Sequence, residues 1–275
     1  MCLTCSNSLQ NWRALTMEMP QEVPSSICLR VTRRCNVACA FCQAPPAARA
    51  ELSVEEIAGL ARFFAARAVR SLKLSGGEPT TRSDLAEIIE TVGEADLKPV
   101  VITNGFYVSD ETVAAAHSHG GEFKFSIHRP SAENDRILRR ASFAQIIENI
   151  DKVINAEVRL SINTVVTPGV VDSMRSMVDF ACDVGAGKIS FIPVVSRGRA
   201  GRTTAFDFLP NELEAVHKGV ADLSALFTGI IEVRCIDIRS HDYWVVENDG
   251  SLWIERATEG EDRKICDKEY MLSSI

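Results

Sequence analysis

The chain has 275 residues, 46% hydrophobic and 24% charged, with 16 glycines and 10 prolines. This composition suits one large domain with or without a small appendage, and it excludes collagen-like, disordered and low-complexity classes. Thirty Lys and Arg against 37 Asp and Glu give a formal charge of -7 with no dense basic block, so nucleic acid is not an expected partner; with no apolar run near the roughly 18 residues of a membrane span and no signal-peptide pattern, no membrane association is expected and the cytoplasm is the expected compartment.

Residues 1–24 read as an irregular arm. Short apolar, β-branched runs then fall at 26–33, 71–75, 98–103, 122–127, 158–166 and 188–195, each the length of a strand. Helix patterns separate them. Their starts are marked by Ser53 with Glu56, Asp84 with Glu87, Ser142 with Gln145 and, after the last strand, Asn211 with Glu214, the spacing of a capping box or its Asx equivalent. Strands alternating with helices pair in parallel through right-handed crossovers, and Val/Ile-rich runs imply a sheet buried on both faces or closed into a barrel. Six similar units with no Rossmann-type glycine fingerprint after the first strand favour a barrel, complete or incomplete. From about residue 230 the pattern shifts to short strands at 230–238, 243–247 and 251–255, with Asn248-Asp249-Gly250 as a hairpin turn. The chain therefore divides into an arm (1–24), an α/β barrel (25–228) and a small C-terminal β extension (229–275).

Nine cysteines without an export signal argue against a disulfide framework. Cys35, Cys39 and Cys42 fall within eight residues, directly after the first strand. Three thiolates at this spacing on a loop can converge on one metal centre. Structural zinc sites and iron–sulfur sites usually take four ligands, and three leave one coordination position open, as in catalytic sites.

The CxxxCxxC arrangement, with Phe41 before the last cysteine, resembles the signature of the radical S-adenosylmethionine (SAM) superfamily. The resemblance implies a partial (β/α)6 TIM barrel in which Cys35, Cys39 and Cys42 hold three irons of a 4Fe-4S cluster, and the fourth iron takes the amino and carboxylate groups of S-adenosylmethionine. Further segments, each closing a separately predicted strand, support it. Gly76-Gly77-Glu78-Pro79 resembles the family's GGEP motif, where glycines let backbone approach a small ligand and Glu78 supports the site that meets the methionine amino group. Thr103-Asn104-Gly105 resembles a TNG segment beside the cofactor. Ser126 matches a serine that bonds the cofactor carboxylate, with His128 where many relatives carry an acid. Arg139, or Arg136 or Arg140, matches an arginine whose planar fork pairs with that carboxylate. Asn163 matches an asparagine facing the ribose, and Arg197-Gly198-Arg199-Ala200 resembles a GRA segment near substrate or adenine.

Of the remaining cysteines, Cys182 and Cys28 read as small core residues. Cys2 and Cys5 form a CxxC, and with Cys235 and Cys266 they are candidates for an auxiliary cluster; Cys235 is also a candidate hydrogen-atom donor. The implied function is one-electron reductive cleavage of S-adenosylmethionine to a 5′-deoxyadenosyl radical that abstracts hydrogen from a substrate, with flavodoxin or ferredoxin as electron donor. A short arm and a cysteine-poor tail favour a small molecule such as a sugar, nucleoside or amino acid over a peptide. A non-catalytic zinc or iron–sulfur protein is the alternative of a different class.

Overall fold

The computed structural model describes residues 22–47, 50–169 and 173–274. Each apolar run becomes a parallel strand and each periodic stretch a helix. The order is β1 (Ser26–Thr32), α1 (Val54–Ala65), β2 (Ser71–Gly76), α2 (Leu85–Glu94), β3 (Lys98–Thr103), α3 (Asp110–Ser118) and β4 (Glu122–Ser126). A short α4 (Glu133–Leu138) precedes α5 (Phe143–Asn155), β5 (Arg159–Val166), α6 (Met174–Asp183), β6 (Lys188–Pro193) and α7 (Pro210–Leu226). The chain ends with β7 (Glu232–Cys235), β8 (Tyr243–Val246), β9 (Leu252–Glu255), β10 (Arg263–Cys266) and α8 (Lys268–Leu272).

The ten strands of the described residues belong to one sheet, ordered β10-β9-β8-β1-β2-β3-β4-β5-β6-β7. The sheet is an open, partial barrel, as expected, and no helix among the described residues is long and apolar enough to cross a membrane. The C-terminal strands differ from the expected appendage. β7 continues the barrel in parallel beside β6, with Lys188 level with Glu232 and Phe191 level with Cys235, because α7 serves as one more crossover helix. β8 runs parallel along the free edge of β1, with Cys28 level with Val245. β9 and β10 then follow antiparallel, after a turn in which Gly250 (φ 87°) takes the left-handed conformation.

Alternation along the strands sorts the side chains. Ile27, Leu29, Leu72, Leu74, Phe123, Phe125, Ile189 and Phe191 are buried in the core. The intervening Cys28, Arg30, Lys73, Lys124, Ser126 and Asn163 point the other way, into a cavity. The inner face thus mixes charged and polar side chains with apolar ones such as Ile102, Val165 and Ile192. Of the two arrangements that Val/Ile richness allows, burial on both faces or closure toward a barrel, the sheet takes the second, and its polar side chains are tolerated because that face lines a cavity instead of packing against another layer.

Local signals decide the helix starts in part. Ser53 and Glu56 form a reciprocal capping box on α1. The carboxylate of Asp84 instead accepts from Arg82 at 2.5 and 2.8 Å and caps nothing. Ser142 is replaced as the cap of α5 by Asp135, which accepts from the Ser142 and Phe143 amides at 2.9 and 2.8 Å. α7 begins at Pro210 rather than after Asn211, with Glu212 reaching back to the Leu209 amide. Proline at the first helical position has its φ already set for a helix.

A buried ionic network joins the distant ends of the chain. Arg30, 3% exposed, donates to Glu247 and, bidentately at 2.6 and 2.7 Å, to Glu255. Arg33 donates to Glu247 at 2.8 and 3.0 Å, and Arg197 to Asp262 at 2.6 and 2.7 Å. It fixes β1 against β8 and β9.

Candidate active site

The C-terminal ends of the parallel strands converge on a cavity of about 460 Å³. Its rim is dominated by the loop after β1, and that loop is fastened from four directions. From β2, Gly77 N–H donates to Thr32 O at 2.8 Å and Glu78 N–H to Arg34 O at 2.7 Å. From β3, Asn104 Nδ2 donates to Asn36 Oδ1 at 2.7 Å. From the α4 region, Arg140 Nη1 donates to Asn36 O, and Ala38 N–H to Leu138 O. From the segment after β6, Arg199 donates its amide to Cys42 O at 2.8 Å and Nη1 to Cys39 O at 3.1 Å.

Close approach demands glycine at three of these points. A Cβ on Gly76, Gly77 or Gly198 would lie 2.1, 2.1 or 2.5 Å from Thr32 O, Arg34 O or Cys42 O respectively. Gly76 also holds φ at 147°. The GGEP and GRA segments are therefore the braces that shape the cysteine loop.

Cys35, Cys39 and Cys42 are half-buried and line the cavity. Burial, and next the charges of Cys42 and Cys35, push the Cys39 thiol up to about 12, and burial also raises Cys35. Thiols whose charges oppose one another's ionisation give up their protons together only beside a cation, and soft thiolate donors suit iron or zinc, so the donor set fits a metal centre. Among the described residues no three His, Cys, Asp or Glu side chains are gathered tightly enough for a single metal ion. A multi-iron cluster places its thiolates on separate irons and does not require that gathering.

Glu78 is buried and accepts from Thr103 Oγ1 and Asn104 N–H, both at 2.7 Å, and from Thr80 N–H and Oγ1 at 3.1 and 2.8 Å. Burial raises its pKa against these bonds. It locks the end of β3 to the end of β2. Thr103 and Asn104 are thereby fixed, and both line the cavity.

Ser126 and Asn163 stand side by side in register on β4 and β5. Asn163 is 8% exposed, yet its Oδ1 has no partner among the described residues. A buried, unmatched acceptor facing a cavity calls for a ligand donor. His128 is buried; its Nδ1 accepts from Val165 N–H at 3.1 Å, which leaves the proton on Nε2. Burial first, with Arg129 adding, pushes its pKa down to about 3, so the ring is neutral. It meets Phe41 edge-on, with centroids 4.9 Å apart.

The three candidate arginines separate. Arg136 and Arg139 are exposed and line a smaller neighbouring cavity with Phe41, His128 and Val165. Arg140 lies over the Phe106 ring, 3.9 Å from its centroid. None of the three lines the main cavity. Arg197 turns away from it to Asp262.

The other cysteines are also placed. Cys266 is buried in the core and Cys182 is half-buried against it. Cys235 does not line the cavity, although its neighbours Arg234 and Ile236 do. Cys28 does line it, and hydrogen-bonds with Tyr243. Cys2 and Cys5 lie outside the described residues. Sequence reasoning missed the lumen group Arg30, Lys73, Lys124 and Arg234, although Leu-Lys-Leu-Ser at 72–75 and Phe-Lys-Phe-Ser at 123–126 show the period-two alternation that announces it.

Residues 29–181 match the family model of the Radical SAM superfamily. GTP 3',8-cyclase of Marinobacter nauticus is 32% identical over 163 residues, covering 56% of this chain and 49% of that protein. PqqA peptide cyclase of Ruegeria pomeroyi is 28% identical over 235 residues, covering 82% and 62%. The chain spans about half to three-fifths of the length of these relatives. Among solved structures, Streptococcus suis SuiB bound to precursor peptide SuiA superposes with a TM-score of 0.70 at 15% identity, covering 83% of this chain and 58% of that one. Native anSMEcpe with bound AdoMet and Cp18Cys peptide superposes with a TM-score of 0.68 at 14% identity, covering 91% and 80%. These two likenesses are of fold.

Proposed function

From the premise that the chain belongs to the radical SAM superfamily, whose enzymes use a 4Fe-4S cluster and S-adenosylmethionine, we propose that it abstracts a hydrogen atom from a small-molecule substrate bound in the barrel cavity. The observation that carries this reading is that Cys35, Cys39, Cys42, Gly76, Gly77, Glu78, Ser126 and Asn163 line a common cavity. When bound, the cluster and S-adenosylmethionine would supply radical chemistry initiated by one-electron reduction. The chain's own residues hold and orient. Cys35, Cys39 and Cys42 would hold the cluster, and Glu78 fixes Thr103 and Asn104 in the same cavity wall. Asn163 Oδ1 accepts from a ligand hydroxyl, and Ser126 bonds the ligand next to it. Neutral His128 and Phe41 form an apolar wall that excludes water. Arg139, in the adjoining cavity, supplies a cation for the cofactor carboxylate. The C-terminal extension shapes the substrate mouth through His241, Asp242, Tyr243 and Trp244, which line the cavity.

A peptide substrate is the second reading. It is favoured by the wider coverage of this chain by PqqA peptide cyclases, 82% and 88% in two cases, against 52–70% for six GTP 3',8-cyclases.

Anaerobic reconstitution tests the enzyme. Expected are about four irons per chain and dithionite-dependent 5′-deoxyadenosine. Alanine at Cys35, Cys39 or Cys42 should abolish that product, while Cys182→Ala should retain it. Bound zinc in place of iron, or no product from an iron-loaded sample, overturns the reading. Growth of 5′-deoxyadenosine yield with a small-molecule pool but not with a peptide pool separates the two substrate classes.

A further inference from the structure

Below the rim the lumen becomes cationic. Lys73 precedes Ser75 by two residues on β2, and Lys124 precedes Ser126 by two on β4. Strand side chains repeat every second residue, so these two lysines occupy a layer about 7 Å beneath Ser75 and Ser126. Arg234 on β7 is level with Ser190, itself level with Asn163. All three cations line the cavity that the cysteines line.

Their charges are largely unmatched. Glu122 is taken by Lys98 at 2.5 Å, with Lys124 at 3.8 Å. Glu232 is taken by Lys188 at 3.2 Å, with Arg234 at 3.8 Å. Lys73 has no hydrogen bond or ion pair among the described residues. The carboxylates that line the cavity are engaged elsewhere, Glu78 at the rim and Asp242 with Arg256 at 2.6 Å. Arg30, the remaining deep cation, is saturated by Glu247 and Glu255. Lys124 is only 4% exposed. Burial first, with Arg234 and Lys73 adding, pushes its pKa down to about 8 against the pull of Glu122, and burial likewise lowers Lys73. Holding unpaired cations in a walled cavity costs stability, and such a cavity focuses a positive field on its contents.

We propose that Lys73, Lys124 and Arg234 form an anchoring site for an oxyanion of the substrate, a phosphoryl or carboxylate group, so that the substrate is an anionic small molecule held with its charge toward the barrel floor and its reacting part toward the rim. Arg234 offers a planar fork and the lysines two point charges, a mixed set suited to an anion with several oxygens. The two-residue offset along β2 and β4 sets how far the reacting part stands from the anchored end. The inference rests on the radical SAM reading of the rim for its claim about substrate, and on the lumen charges alone for its claim about binding.

The test is calorimetric titration of the reconstituted protein with inorganic pyrophosphate and, separately, with acetate. One of these anions should bind, with affinity falling as NaCl rises. Lys73→Met and Arg234→Met should each weaken binding at least tenfold, and Lys218→Met, exposed on α7, should not. Pyrophosphate binding identifies a phosphoryl anchor and acetate binding a carboxylate anchor. Should the variants not fold, acetylation of the wild-type protein gives the same information: the bound anion should shield Lys73 and Lys124 but not Lys218. Absence of binding by either anion, or shielding that spares both lysines, overturns the proposal, even where the same sample produces 5′-deoxyadenosine. Binding lost in the variants, in a sample that makes no 5′-deoxyadenosine, leaves the anion site standing and overturns the enzyme reading instead.

Discussion

At the rim of the cavity the cysteine loop is held by backbone: Thr32 O, Arg34 O, Asn36 O, Cys39 O and Cys42 O each accept from a neighbouring segment. At the floor, side-chain charge prevails, with Lys98 and Lys188 neutralising Glu122 and Glu232 and three further cations lining the cavity. Backbone fastening needs small residues and tight turns, so it writes short contiguous motifs. Ionic lining needs one residue at every second position of several strands, so it is spread thinly over the whole sequence. The rim is therefore built for fixed geometry and the floor for field.

The rim half of this contrast is sharpened most by Gly77→Ala. Its new Cβ would stand 2.1 Å from Arg34 O and 2.8 Å from Arg33 O, backbone atoms that cannot swing aside. The loop must shift, at about 1–3 kcal/mol of overpacking. Iron content after reconstitution and 5′-deoxyadenosine yield should both fall at least tenfold while the circular dichroism spectrum stays close to wild type. Wild-type iron loading in this variant would break the claim that the glycines set the loop's shape.

Next in size is Arg30→Met, which removes the central cation of the network joining β1 to β8 and β9. Glu255 would keep only Arg197 at 3.3 Å, and Glu247 only Arg33. Breaking a buried pair from one side costs about 3–5 kcal/mol, read by urea unfolding. Arg34→Met is the comparison: its pair with Glu51 is 3.1 Å long, but the Arg34 side chain is 59% exposed, so about 0–1 kcal/mol should be lost. Equal losses would show that the β1–β8 seam does not depend on this network.

How much of this was legible follows from the same contrast. The six barrel strands and the rim segments were visible because each is a continuous run: Ser26–Thr32, Gly76-Gly77-Glu78 and the cysteine trio announce themselves locally. The Ser53–Glu56 box was visible for the same reason. Arg30 with Glu247 and Glu255 was not, since the partners lie 217 and 225 positions away and no local pattern couples them. Nor was the role of Asp135 as the cap of α5, because a folded turn brings it seven residues back to Ser142. Nor was the pairing of β7 with β6, because a four-residue strand does not say which edge it will join. Lys73 and Lys124 lay in plain alternation with buried leucines and phenylalanines, but a strand counted as apolar overall hides what its other face does.

At the floor the contrast is sharpened by Glu122, which ties Lys98 and Lys124 together and whose contribution fades with acid. Burial raises its pKa, but hydrogen bonds from Lys98 and Ser161 and the charge of Lys124 outweigh that and hold it down at about 2, against an ordinary value of 4.5. A carboxyl whose folded pKa lies below its unfolded one stabilises the fold above the unfolded value and loses that contribution as pH falls through the folded one. Glu122 should therefore contribute up to about 3 kcal/mol at pH 6, declining between about pH 4.5 and pH 2. Glu122→Gln should lower urea-unfolding stability at pH 6 and flatten the acid limb, so that variant and wild type converge near pH 2. A constant gap across that range would mean that glutamine disturbs packing and not charge, and the floor would then owe its stability to shape, as the rim does.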